Sequence, residues 1–93
     1  MRLYALQVAH KKAYLEVNVI HLVSCRLGSN ENDIRNIIVS TYYASDKART
    51  MSRKGWKCVV TRLTSINVER FEELSKEFNC HHFRVGFDDV KLS

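Results

Sequence analysis

Lys47, Arg49, Arg53, Lys54 and Lys57 fall within eleven residues and surround Trp56, the chain's one tryptophan. Cations at this density beside an indole suit phosphate chemistry. Each phosphate neutralised by a lysine or arginine releases counterions, which makes affinity depend on salt. Thr50 and Ser52 lie in the same stretch and can donate hydrogen bonds to phosphate oxygens. Trp56 can stack on a base or anchor an interface. The competing explanation is structural: cations complement the negative end of a helix dipole, and a tryptophan opening a strand packs partly into the core. Lys47, Arg49, Arg53, Lys54, Trp56 and Lys57 are therefore the candidate binding residues. Arg2, Lys11, Lys12 and Arg62 add positive charge elsewhere. The net charge of +5 and pI near 9.3 favour an acidic partner, either nucleic acid or a nucleic-acid-handling protein.

The other reactive side chains do not assemble into a known pattern. Cys25, Cys58 and Cys80 contain no CxxC pair, and their odd number argues against a disulfide framework. They read as reduced thiols acting as small hydrophobes. Cys80, His81 and His82, with His10, His21 and Cys25, invite a metal site. Zinc would need three or four converging ligands, and His81 and His82 on a strand point to opposite faces. No metal and no cofactor is expected. There is no GxSxG, no glycine-rich phosphate loop and no HExxH. The titratable pairs that an enzyme could use are His82 with Cys80 and Glu16 with His10. Neither asks for catalysis, so a non-enzyme is expected.

These residues must be positioned by regular elements. Asn30 to Lys54 reads as one long amphipathic helix, with Ile34, Ile37, Ile38, Tyr42, Ala44, Ala48 and Met51 near a 3.6-residue period. Ser29 or Asn30 can cap it, Glu31 and Asp33 suit its positive end, and Gly55 can stop it in a left-handed conformation. Tyr42 and Tyr43 cannot share one face, so one of them reaches the rim. Arg2 to Ala9 alternates as a first strand. His10 to Lys12 reads as a polar break, and Ala13 to Cys25 as a second strand joined to the first by a hairpin. Trp56 to Leu63 forms a third strand. Asn67 caps a second helix with Ile66 and Phe71 as a hydrophobic staple. The buried stripe of that helix is Val68, Phe71, Leu74 and Phe78, and Asn79 ends it. His81 to Phe87 is a fourth strand, with Phe83, Val85 and Phe87 facing in, and Asp88 to Ser93 is a polar tail.

The expected fold class is α+β: a four-stranded, mostly antiparallel sheet in the order β-β-α-β-α-β, with two helices packed on one face and the other face open. That order differs from the β-α-β-β-α-β of the RNA-recognition motif, whose signature strand is also missing. Residues 1–93 suit a single compact domain. The chain contains no proline and no run near the roughly 18 apolar residues of a membrane span. Arg2, Gln7 and His10 interrupt any signal-peptide core, so a cytoplasmic location without membrane contact is expected. The function these features favour is a small non-catalytic binding protein. It would be an inhibitor or accessory factor of the phage or mobile-element type that docks a basic surface on nucleic acid or its handling machinery. A structural homodimer and a small enzyme are the alternatives.

Overall fold

Arg2 to Lys12 (β1) and Leu15 to Cys25 (β2) pair along their full length as an antiparallel hairpin, from Arg2 opposite Cys25 to Lys12 opposite Leu15. The computed structural model describes residues 1–78 and 80–86. His10 to Lys12 is therefore not a break. These residues face Val17, Glu16 and Leu15 across the ladder, and Lys11 meets Glu16 at 3.7 Å. Polar side chains do not stop a strand whose backbone partners are present. The turn falls on Ala13 and Tyr14 instead, and Ala13 takes a φ of 54°. A left-handed backbone costs an L-residue about 1–2 kcal/mol, a cost glycine escapes. Ala13→Gly is expected to stabilise the fold by about 0.5–1 kcal/mol after the extra entropy of the unfolded chain is counted. Thermal unfolding should show a Tm rise of roughly 2–8 °C for a domain of this size.

The segment expected to form one long helix is two helices. Glu31 to Ala44 (α1) and Asp46 to Arg53 (α2) meet at Ser45, which has extended backbone angles. Its N–H donates to the Tyr42 carbonyl, closing α1, and its Oγ accepts from the Ala48 N–H, opening α2. Ser45 followed by Asp46 is a helix-start signal inside a periodic run, and the local cap outweighs the period. Asn30 caps α1 through the Asp33 N–H at 2.9 Å. Ile34, Ile38 and Tyr42 are the buried stripe of α1, while Ile37 is exposed. Glu31 ties the first turn of α1 to the sheet, accepting from the Tyr4 hydroxyl at 3.0 Å and pairing with Arg2 at 3.1 Å.

Lys57 to Ile66 (β3) runs three residues further than the alternation suggested. Val68 to Glu77 (α3) and His81 to Val85 (β4) complete the described elements. Asn67 caps α3 through Arg70 N–H, and Ile66 and Phe71 pack in one cluster as the staple requires. Leu74 is buried and Phe71 half-buried, but Val68 and Phe78 are exposed, so the stripe is half as wide as read. Asn79 and the stretch 87–93 lie outside the described residues, as do the readings placed on them.

The sheet order is β3-β1-β2-β4. β1 is antiparallel to β2 and β3, and β4 is parallel to β2, so the sheet is mixed. The helices do not share a face. Tyr4, Leu6, Val8 and Val23 pack against Ile34, Ile38, Tyr42 and Ala48 of α1 and α2. Ala5 and Leu22, which alternate onto the opposite face, pack against Leu74 of α3. Both connections join parallel strands. One passes from β2 over β1 to β3; the other returns from β3 over β1 and β2 to β4. Crossovers running in opposite directions keep a common hand only from opposite faces. The strands β1 and β2 thus end up covered on both sides.

Candidate functional site

Helix α2 sits over the sheet on one small residue. Ala48 is 5% exposed in the core, and the residues on either side of it fall on two flanks of the helix. Arg49, Ser52 and Arg53 form one flank and line an open cleft of about 490 Å³ with Trp56, Lys57 and Tyr43. Lys47 and Met51 form the other flank and line a smaller pocket of about 270 Å³ with His10, His21 and Trp56. Trp56 belongs to both walls. Its position follows from how α2 ends. Gly55 adopts a φ of 90°, its N–H donates to Ser52, and the Trp56 N–H donates back to the Met51 carbonyl, each at 3.0 Å. This paired closure needs a left-handed residue after the cap, and it brings the next side chain over the last turn. The indole and Met51 accordingly line the same pocket.

Four of the six candidate residues, Arg49, Arg53, Trp56 and Lys57, therefore converge on the cleft. Lys47 lies across the helix in the second pocket, and Lys54 lines neither. Lys54 contributes its carbonyl, which accepts from Lys12 Nζ at 2.8 Å. Lys12 also stands 5.9 Å from the Trp56 ring centre, within cation–π reach. The end of β1 thus brings a further cation to the site, which the supposed break at His10 to Lys12 concealed. No carboxylate lines either cavity. Among the described residues, the ion pairs within 4.0 Å join Arg2 and Arg35 to Glu31 and Lys11 to Glu16, so none neutralises the cluster. Arg53 lies in the last turn of α2, where the helix dipole favours a cation.

Tyr43 is the tyrosine that reaches the rim, 45% exposed, and its hydroxyl accepts from the Val60 N–H at 2.9 Å. Tyr42 is buried; burial, with Cys58 nearby, raises the pKa of its phenol. The titratable pairs differ from those suggested by sequence. His82 Nε2 stands 2.6 Å from Ser24 Oγ, while the Cys80 thiol donates to the Leu74 carbonyl. Glu16 pairs with Lys11. His10 Nδ1 instead lies 3.4 Å from Cys58 Sγ, a contact between β1 and β3 that no sequence spacing announces. His81 and His82 do point to opposite faces: His81 packs on His21 and Phe83, His82 on Phe71.

The floor of the second pocket is chemically unusual. His10 and His21 are 4% and 2% exposed. Neither nitrogen of His21, nor Nε2 of His10, has a hydrogen-bond partner. Burial lowers the pKa of His10, helped by the Lys47 charge. Burial, then Lys47, His81 and His10, lower that of His21 to about 4. Burial thus favours the neutral form of both rings. No family model, curated protein or solved structure matches this chain.

Proposed function

We propose that this protein is a non-catalytic nucleic-acid-binding module, an accessory or inhibitory factor that docks through the cleft beside α2. The observation that carries this reading is the convergence of Arg49, Arg53 and Lys57 on one open cleft, with Trp56 in its wall and no carboxylate among its lining residues. Ser52 and Tyr43 add hydroxyl groups that can contact phosphate oxygens. Three cations that each neutralise one phosphate give a slope of log affinity against log salt near −2 on a single strand, at about −0.7 per phosphate. The test is fluorescence anisotropy of the intact protein with labelled DNA and RNA oligonucleotides across a salt series. A slope of about −2 or steeper supports the reading. The absence of binding at low salt overturns it and makes an acidic protein groove the better partner.

A further inference from the structure

We infer that the histidine-floored pocket on the other flank of α2 is a base pocket: it takes one unstacked nucleobase of a single strand whose phosphates run through the cationic cleft. The inference rests on the nucleic-acid reading above and names the form of nucleic acid bound. Trp56 forms part of both walls, so a strand crossing at the indole passes from phosphate contacts on one side to a smaller, more apolar pocket on the other.

The space is small. At about 270 Å³ it lies near the lower bound of roughly 300 Å³ for small-molecule pockets, a scale that admits one planar ring rather than a peptide segment. Val17, Val19 and Met51 supply apolar walls, and the indole supplies a face for stacking. The floor then selects among flat ligands. Unpaired polar atoms inside a protein are costly, and His21 leaves both of its nitrogens in that state. A neutral imidazole has one N–H donor and one lone-pair acceptor. The edge of a nucleobase offers donors and acceptors side by side, so it can answer both. A phosphate or carboxylate offers acceptors alone and would set a lone pair against a lone pair. His10 and His21 line the pocket while their unpartnered nitrogens are sealed from solvent, so a base reaches them only as the long unbranched side chains of Lys47 and Met51, which line the same pocket, give way. Lys47 remains at the pocket to meet the phosphate of the extruded nucleotide. A paired base in a duplex has its edge occupied and both faces stacked, so it cannot enter. Three histidines line this pocket, but among the described residues no group of three His, Cys, Asp or Glu side chains is arranged to hold a metal ion.

The test compares a labelled single strand of mixed sequence, the same strand made wholly abasic, and a duplex, all with the intact protein. The abasic strand keeps every phosphate and lacks every base. Stacking on one aromatic side chain is worth a factor of about five or more per base. The mixed strand is expected to bind at least about fivefold more tightly than the abasic one and to quench the fluorescence of Trp56, the chain's one indole. His21→Leu, which keeps the bulk and removes the polar edge, should narrow that preference. Equal binding of the mixed and abasic strands, or of strand and duplex, overturns the base pocket and leaves the phosphate cleft standing. If none of the three binds at low salt, both readings fail together.

Discussion

Exchanging Arg49, Arg53 and Lys57 together for glutamine is expected to weaken single-strand binding about 100-fold near 0.1 M salt and to take about 2 off the salt slope. The size follows from counterion release. Each phosphate contact carries about 0.7 of slope on a single strand, and each unit of slope is worth about tenfold at one-tenth molar salt. The fold should tolerate the change. All three side chains are exposed, and none takes part in an ion pair among the described residues. Substitutions at such positions usually move stability by less than about 0.5 kcal/mol. Unchanged chemical denaturation with a lost salt slope would place the effect in the contact itself. Lys54→Gln is the matched control. It removes one charge, as each of the three exchanges does singly, from a side chain that stands two residues before Trp56 and lines neither cavity, and it should cost less than any one of the three. A slope unchanged in the triple variant would remove the cleft as the phosphate contact. A slope reduced as much by Lys54→Gln as by any one of the three exchanges made singly would mean that net charge, rather than the cleft, attracts the strand.

What the sequence made legible was mainly what short-range rules govern. The caps at Asn30 and Asn67, the left-handed Gly55, the Ile66–Phe71 staple and the opposed His81 and His82 are each decided by residues within a few positions of one another. The clustering of Arg49, Arg53, Trp56 and Lys57 was legible for the same reason, since one helix turn and its closure hold them together. Misreadings arose where two rules competed or where the partner lay far away in the chain. Periodicity across Ala44 to Ala48 hides a serine cap, so the pattern of one helix spans two. Polarity at His10 to Lys12 hid strand pairing and concealed that β1 delivers Lys12 and His10 to the site. The division of the helices between two faces follows from strand order, which no local pattern carries. Once β3 is placed beside β1 and β4 beside β2, a common crossover hand puts α3 opposite α1 and α2. The pocket could not be read locally at all, because β1, β2, α2 and β4 each contribute to it.

Acid should destabilise this fold through His21, by about 3 kcal/mol between pH 7 and pH 4. The ring is buried on β2 against Tyr42 and Phe83, with centroids 5.4 and 5.2 Å away. Burial opposes its protonation most strongly, and the positive charge of Lys47, with His81 and His10 nearby, adds to it. Its pKa is held at about 4 in the fold, against 6.5 in a free chain. The sign follows from where the proton goes. Above pH 6.5 both states are neutral, and the shift has no effect on stability. Below pH 6.5 the unfolded chain takes up a proton that the folded ring refuses, so the unfolded state gains. The gain grows until about pH 4, where the folded ring also protonates, and the difference of 2.5 between the two values fixes its size. His10 and His82 are shifted in the same direction and add to the slope. Urea unfolding at a series of pH values measures this directly. His21→Leu should flatten most of the loss and should not weaken the fold at pH 7, because it removes two buried polar atoms that have no partner. A wild-type stability that stays level from pH 7 to pH 4 would mean that the ring finds water or a carboxylate in solution. The same finding would take away the neutral, unpaired edge on which base recognition in the pocket depends.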